Sequence, residues 1–244
     1  MSSSGSANLL RTDCSNRRNA FVLGFATSCI LFCLATATPA FADEFSRVSN
    51  YSVHLVRGTL VVDTRVGDLF IEGWDKDRVE IEAEKVVRAG SEKKSQSYFD
   101  RIRVRLTQDE EGKTIFLKAL YPPRRPWRPF RGETKLSVNF RIKMPIESNL
   151  VLKCVNGDVR IRGVAGNEEL NVNYGNVEIT VPSVWSLRSL RAHTWLGYVQ
   201  SDLKPLPESD AGLGRRVLFW SPQGRQEIQV RVRMGGVFVY GNYN

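Results

Sequence analysis

Four arginines, Arg124, Arg125, Arg128 and Arg131, interleave with Trp127 and Phe130 in the stretch YPPRRPWRPFR at 121–131. Guanidinium groups make paired hydrogen bonds to phosphate or carboxylate, and an aromatic ring stacks on a sugar face or on another arginine. That order of residue types points to capture of an anion. Arg124, Arg125, Trp127, Arg128 and Arg131 are therefore the candidate ligand-binding residues, and the stripe Arg101, Arg103 and Arg105 would extend the positive surface. The plainer reading of the same stretch is a solvated connector. Its four prolines forbid a central strand and favour extended polyproline-like backbone.

Bond-making chemistry finds less to work with. The chain has two histidines, His54 and His193. No His-x-x-x-His or Cys-x-x-Cys spacing occurs, so neither a zinc site nor redox chemistry is expected. No glycine-rich phosphate loop precedes a helix, and no Gly-x-Ser-x-Gly elbow occurs. The acidic groups Asp109-Glu110-Glu111 and Glu168-Glu169 read as solvated turns. The expectation is a protein without catalytic residues, metal or cofactor. Its enzymatic alternative is polysaccharide cleavage by paired carboxylates on a β face. A third reading is a periplasmic sensor or scaffold of a membrane complex.

The N-terminus speaks to compartment. Arg11, Arg17 and Arg18 precede an apolar run at 20–37, and Ala40-Phe41-Ala42 supplies the small-x-small pattern of a signal-peptidase site. Residues 1–42 are read as a signal peptide, with retention as a membrane anchor the alternative. The pair Arg17-Arg18 resembles a twin-arginine signal, but Asn19 and Ala20 depart from that pattern. Removing 42 residues with three arginines and one aspartate leaves 202 residues and lowers the net charge from +9 to +7. Three of the four cysteines leave with the segment, so no internal disulfide can form, and Cys154 reads as a small buried hydrophobe. In an exported protein, a basic surface meets acidic polysaccharide or lipid head groups, and no nucleic acid partner is expected. The destination is the periplasm or cell surface.

What must position any such surface is β structure. The region 43–121 opens with a strand in which Tyr51, Val53 and Leu55 alternate with Ser52 and His54. Val79, Ile81 and Ala83 alternate with Glu80, Glu82 and Glu84, which share a solvent face. A short helix is expected at 95–102, with Tyr98, Phe99 and Ile102 on one face. A hairpin follows, turning at 109–113. The connector 122–134 marks the internal boundary, and 135–244 is a β-repeat region broken by a loop at 204–216; 43–244 could also be one continuous domain.

The repeat pivots on Gly67, Gly157, Gly175, Gly197 and Gly235. Counting from each glycine, positions −5, −3, +2 and +4 are apolar or small, for example Leu170, Val172, Val177 and Ile179 around Gly175. The two arms meet across an odd corner, so a residue with positive φ there turns the chain while both arms face one core. The later glycines recur about every 20 residues, which is the period of stacked β coils. The fold class is accordingly all-β. The favoured architecture is a β-solenoid-like stack of glycine-cornered repeats, with Val159 over Val177, Val177 over Val199, and Arg160 beside Glu178. The alternative is an antiparallel β-sandwich, since Asn156-Gly157 is a strong hairpin signal.

The order "apolar arm, Gly-Asp-Val-x-Ile, spacer, Leu-x-Val-x-x-Gly-x-Val" resembles the bacterial putative-adhesin domain family. The residues that carry it are 62–72, 99–120, Ile142-Lys143-Met144-Pro145 and Asn156-Gly157-Asp158-Val159. Gly197 departs from the pattern, with Ser201 where an aliphatic is expected. The resemblance implies a β-solenoid-like fold in the cell envelope and carries no catalytic residues to transfer; the leading reading is a non-enzymatic envelope β-repeat protein with a structural or adhesive role.

Overall fold

The computed structural model describes residues 43–123, 134–203, the backbone at 208–210, and 214–243. Residues 1–42, expected as a signal peptide, and the arginine-proline candidates Arg124, Arg125, Trp127, Arg128 and Arg131 lie outside the described residues. The compact unit is Ala42–Asn244.

In the first half, the strands are β1 (Asp43–His54), β2 (Thr59–Val66), β3 (Leu69–Trp74), β4 (Arg78–Ala89), β5 (Arg103–Gln108) and β6 (Thr114–Leu120), with the helix α1 (Glu92–Phe99) before β5. Next come β7 (Lys135–Pro145), β8 (Asn149–Asn156), β9 (Val159–Arg162), β10 (Glu168–Tyr174) and β11 (Val177–Val181). The last group is β12 (Leu187–Leu196), β13 (Val199–Ser201), β14 (Glu208–Asp210), β15 (Arg215–Trp220), β16 (Gln226–Met234) and β17 (Val237–Gly241).

These strands form two mixed sheets. One has eight strands in the order β1-β4-β7-β3-β9-β11-β17-β13, and the other has nine in the order β14-β15-β12-β16-β10-β8-β2-β6-β5. Each glycine unit sends its first arm to the nine-stranded sheet and its second to the eight-stranded one. Between units the arms pair in parallel and in register, as in Leu170 opposite Leu152 and Val177 opposite Val159. Around the outside, β1, β4 and β7 pair antiparallel, and so do β5 with β6 and β12 with β15.

The inward positions behave as their spacing requires. Val62, Leu69, Ile71, Leu152, Val159, Ile161, Leu170, Val177, Ile179, Val230 and Val237 are buried in one core fed by both sheets. Cys154 belongs to that core, and burial pushes its thiol up to about 11, which leaves it a packing residue.

The corner glycines form a column. Gly67, Gly157, Gly175, Gly235 and Gly197 all have positive φ, from 135 to 156°. A Cβ at Gly157 would overlap the carbonyl oxygen of Gly67, one at Gly175 that of Gly157, one at Gly235 that of Gly175, and one at Gly197 that of Gly235. The units thus approach one another, backbone against backbone, at a site where only glycine fits. Beside the column, Asx side chains tie layer to layer. Asp158 N donates to Asp68 Oδ1 at 3.0 Å, Asn176 N to Asp158 Oδ1 at 2.8 Å, and Gly236 N to Asn176 Oδ1 at 2.9 Å.

That column also corrects the order of layers. Val177 lies opposite Val237, and Val237 opposite Val199, so the Gly235 unit is inserted between the Gly175 and Gly197 units. Composition explains it. The Gly235 unit offers four aliphatics, Val230, Val232, Val237 and Val239, all buried, and suits an interior layer. The Gly197 unit offers Ala192, Thr194 and Ser201 and ends the stack, its Thr194 hydroxyl donating to Gly235 O at 2.9 Å.

Two local expectations also shift. The helix occupies Glu92–Phe99 rather than 95–102, because Ser91 stands extended as the N-cap and Glu92 favours the positive end of the helix dipole. Phe99 and Ile102 are buried, but Ile102 lies after the helix, where the chain extends towards β5. Within 204–216, expected as a loop, β14 pairs antiparallel with β15. Residues 204–207 and 211–213 lie outside the described residues.

Candidate ligand-binding surface

The alternation that sends −5, −3, +2 and +4 inward sends the intervening side chains out, and the two outer faces differ in charge. On the eight-stranded sheet the outward residues neutralise one another. Glu80 lies opposite Lys143, Lys143 opposite Glu72, and Glu72 opposite Arg162. Arg160 lies opposite Glu178 at 3.6 Å as expected, and Arg162 also reaches Glu178, at 3.7 Å. Exposed cross-strand pairs of this kind contribute about 0.2–1 kcal/mol each.

The nine-stranded sheet has no such balance. Its outward positions carry Arg65 and Lys118, then Lys153, Arg191, Arg231 and Arg233. Arg216 on β15 lies opposite His193 on β12. The carboxylates on this face are few among the described side chains. Asp63 is held by Lys118 at 2.7 Å, Glu227 lies 3.8 Å from Arg188, and Glu169 accepts from the Asn171 amide at 3.5 Å. Lys153, Arg191 and Arg233 make no ion pair among the described residues, so their charge is available to a ligand, whereas Arg216 lies opposite Asp210 on β14. At one edge, β5 adds exposed Arg103 and Arg105, the latter opposite Lys118.

Arg65 is fixed on this face by Tyr121. Its guanidinium lies 5.2 Å from the ring centroid. The Tyr121 hydroxyl donates to Val66 O at 2.5 Å and lies 3.3 Å from Thr64 Oγ1. Burial raises the Tyr121 pKa, so the hydroxyl remains a donor. Trp195 and Trp220 stand exposed on β12 and β15 at the other end of the sheet, at 51% and 69% of full exposure. Large rings left in water beside unpaired cations suit a sugar or another planar polar group better than an apolar partner.

Two shallow depressions mark the same face. One is lined by Asn171, Asn173, His193, Trp195, Arg231 and Arg233. The other, nearer the strand starts, is lined by Glu169, Arg191, Glu227 and Gln229 among others. No group of three or more metal-ligating side chains occurs among the described residues.

Glu168 is not in a solvated turn. It occupies an inward position of β10, between Leu150 and Ile228 on the neighbouring strands, and is 3% exposed. Gln226 Nε2 donates to Glu168 Oε1 at 3.3 Å and to the carbonyls of Val164 and Gly166 at 2.9 and 3.1 Å. Burial pushes the Glu168 carboxyl up to about 8. Among the described residues, Glu168 Oε2 and Gln226 Oε1 have no hydrogen-bond partner. A protonated carboxyl would let the first donate to the second, which makes this a neutral acid–amide pair in the core.

Sequence reasoning missed the cationic face although Lys153, Arg231 and Arg233 were legible as outward; Arg216 lay in a stretch read as a loop. The signal was the repeated basic residue at −4 and −2 of the units, as in Lys153, Arg231 and Arg233. Its weight depends on which units are neighbours.

No protein-family model matches the chain, and no curated protein matches it. Among solved structures, a putative cell adhesion protein from Clostridium sporogenes aligns with a TM-score of 0.51 and 10% identity, covering 82% of this chain and all of the other. A putative adhesin from Bacteroides fragilis covers 82% of this chain at 10% identity with a TM-score of 0.24. A putative lipid binding protein from Parabacteroides distasonis covers 80% at 11% identity with a TM-score of 0.20. The resemblance to bacterial putative adhesins carried by the glycine motif thus has its counterpart in three dimensions: over most of its length, the chain has the fold of the clostridial protein.

Proposed function

We propose that this chain is an exported, non-enzymatic protein of the bacterial cell envelope, with a structural or adhesive role, that binds anionic glycan or lipid head groups. The outer face of its nine-stranded sheet is the binding surface. The observation that carries the reading is the contrast between faces: one sheet pairs its outward charges, while on the other Lys153, Arg191 and Arg233 make no ion pair among the described residues. Export rests on the leader pattern ending at Ala40-Phe41-Ala42. Among the described residues no helix is long and apolar enough to cross a membrane. The adhesive role is supported by the fold shared with a protein described as a putative cell adhesion protein.

We read the glycine-cornered units as a short β-solenoid with added antiparallel strands. The parallel in-register pairing and the glycine column support this, since each unit buries its apolar arms only against its neighbours.

The test is retention of the purified protein on anionic and neutral glycan and on anionic and neutral vesicles, at rising salt. Binding confined to the anionic matrices, and released within a few hundred millimolar salt, is expected. Lys153→Ser, Arg231→Ser and Arg233→Ser combined should remove it. Equal retention of the triple variant, or retention insensitive to salt, would overturn the reading. A fourfold serine variant at Arg124, Arg125, Arg128 and Arg131 measures the share of the connector.

A further inference from the structure

The cations of this face are evenly spaced. Across the sheet, at one outward level, the neighbours in register are Arg216 on β15, His193 on β12, Arg231 on β16, Asn171 on β10, Lys153 on β8 and Asp63 on β2. Full positive charge falls on every second strand, with histidine, asparagine or aspartate between. Lys118 on β6 keeps the phase but is held by Asp63, and beyond it Arg105 on β5 ends the alternation; at the other end the row is closed by Asp210 on β14, opposite Arg216. Strands lie about 4.8 Å apart, so Arg216, Arg231 and Lys153 repeat at about 10 Å and span about 20 Å. The spacing is imposed by backbone hydrogen bonds and not by flexible loops.

Among anionic partners, a repeat of this size distinguishes a polymer from a fluid surface. Lipid head groups have no fixed spacing and adapt to any arrangement of cations. An extended polysaccharide that alternates neutral and acidic sugars presents one carboxylate per disaccharide, and two pyranose rings in an extended chain advance by a distance of this size. Arginine pairs with a carboxylate through two parallel hydrogen bonds, which fixes the polymer's register as well as holding its charge. Trp195 lies two residues beyond His193 on the same side of β12, exposed, where a ring could stack on the neutral sugar.

We propose that this row binds a linear acidic polysaccharide carrying one carboxylate per disaccharide, laid across the strands from β15 towards β8. The inference rests on the assignment of the cationic face above and adds the polymer class, its direction and its charge repeat.

The experiment uses hyaluronan oligosaccharides, which carry one carboxylate per disaccharide, against dextran sulfate, neutral dextran and vesicles of phosphatidylglycerol. The decisive variant is the double exchange Lys153→Asn with Asn171→Lys. It keeps the net charge and moves one cation by one strand. Affinity for hyaluronan is expected to rise with length up to three disaccharides and then level off. The exchange should weaken it about fivefold, the worth of one exposed charge pair, with binding to dextran sulfate unchanged. Arg231→Ser, which removes the central cation, should weaken both, and a thermal melt of each variant checks its folding. If the exchange binds hyaluronan as tightly as the unaltered protein while vesicles and dextran sulfate still bind, the spacing argument fails and a fluid anionic surface is the occupant. If the unaltered protein binds no polyanion at all, the cationic-face reading itself falls.

Discussion

Replacing Glu168 by glutamine should change the pH dependence of folding in a way that no surface substitution could. In the folded protein burial holds the carboxyl neutral up to a pH of about 8, whereas an exposed glutamate ionises near 4.5. Below 4.5 both states carry the proton and the group costs nothing. Between 4.5 and about 8 the folded state binds a proton that the unfolded chain has released, so stability falls as pH rises. Each pH unit of that window is worth about 1.4 kcal/mol, and the whole on the order of 5 kcal/mol. Above 8 the loss is complete and the curve flattens. Glutamine has the shape of the protonated acid, cannot ionise, and can offer its own amide hydrogen to Gln226 Oε1, which lacks a partner among the described residues. Urea unfolding of the protein and of Glu168→Gln, followed by tryptophan fluorescence from pH 4.5 to 9, reads the difference, and contributions from all other groups cancel in it. The two should lie within about 1 kcal/mol at pH 4.5 and separate by several kcal/mol, in favour of the variant, by pH 8.5. Parallel curves across that range would refute the burial of a neutral Glu168.

Other perturbations test the stack. Gly175→Ala places a Cβ against the Gly157 carbonyl at a φ of 136°, so it should cost at least about 2–3 kcal/mol in urea unfolding, while Gly90→Ala, with open space around it, should cost under about 1 kcal/mol. A double-mutant cycle on Arg160 and Glu178 should give a coupling of about 0.2–1 kcal/mol that shrinks in salt, and zero coupling at low salt would contradict the register of β9 and β11.

Much of the fold was legible because its rules are local. Two-residue alternation told which side of each strand is buried, so Leu152, Val159, Val177 and Ile179 could be assigned to the core without knowing any neighbour. The same parity named Arg160 and Glu178 as outward. The helix start was misplaced because Glu92, Lys93 and Lys94 offer no apolar period to detect, although the capping position at Ser91 and the acidic first turn were present. The candidate surface was harder. The arginines at 121–131 stood out by composition, whereas Lys153, Arg231 and Arg216 lie far apart in the chain and form a row only through strand pairing.

By itself, then, the sequence determined the period, the corners and the two-sidedness of every arm, since these follow from side-chain alternation and the freedom of glycine at positive φ. Tertiary structure decided who neighbours whom. The Gly235 unit enters between Gly175 and Gly197 because four buried valines gain more from an interior layer than Ala192, Thr194 and Ser201 would. That insertion puts Arg231 between His193 and Asn171, makes the nine-stranded face cationic, and places Glu168 against Ile228. Pairing across some 60 residues of chain is a matter of competing burial, and no short-range pattern records its outcome.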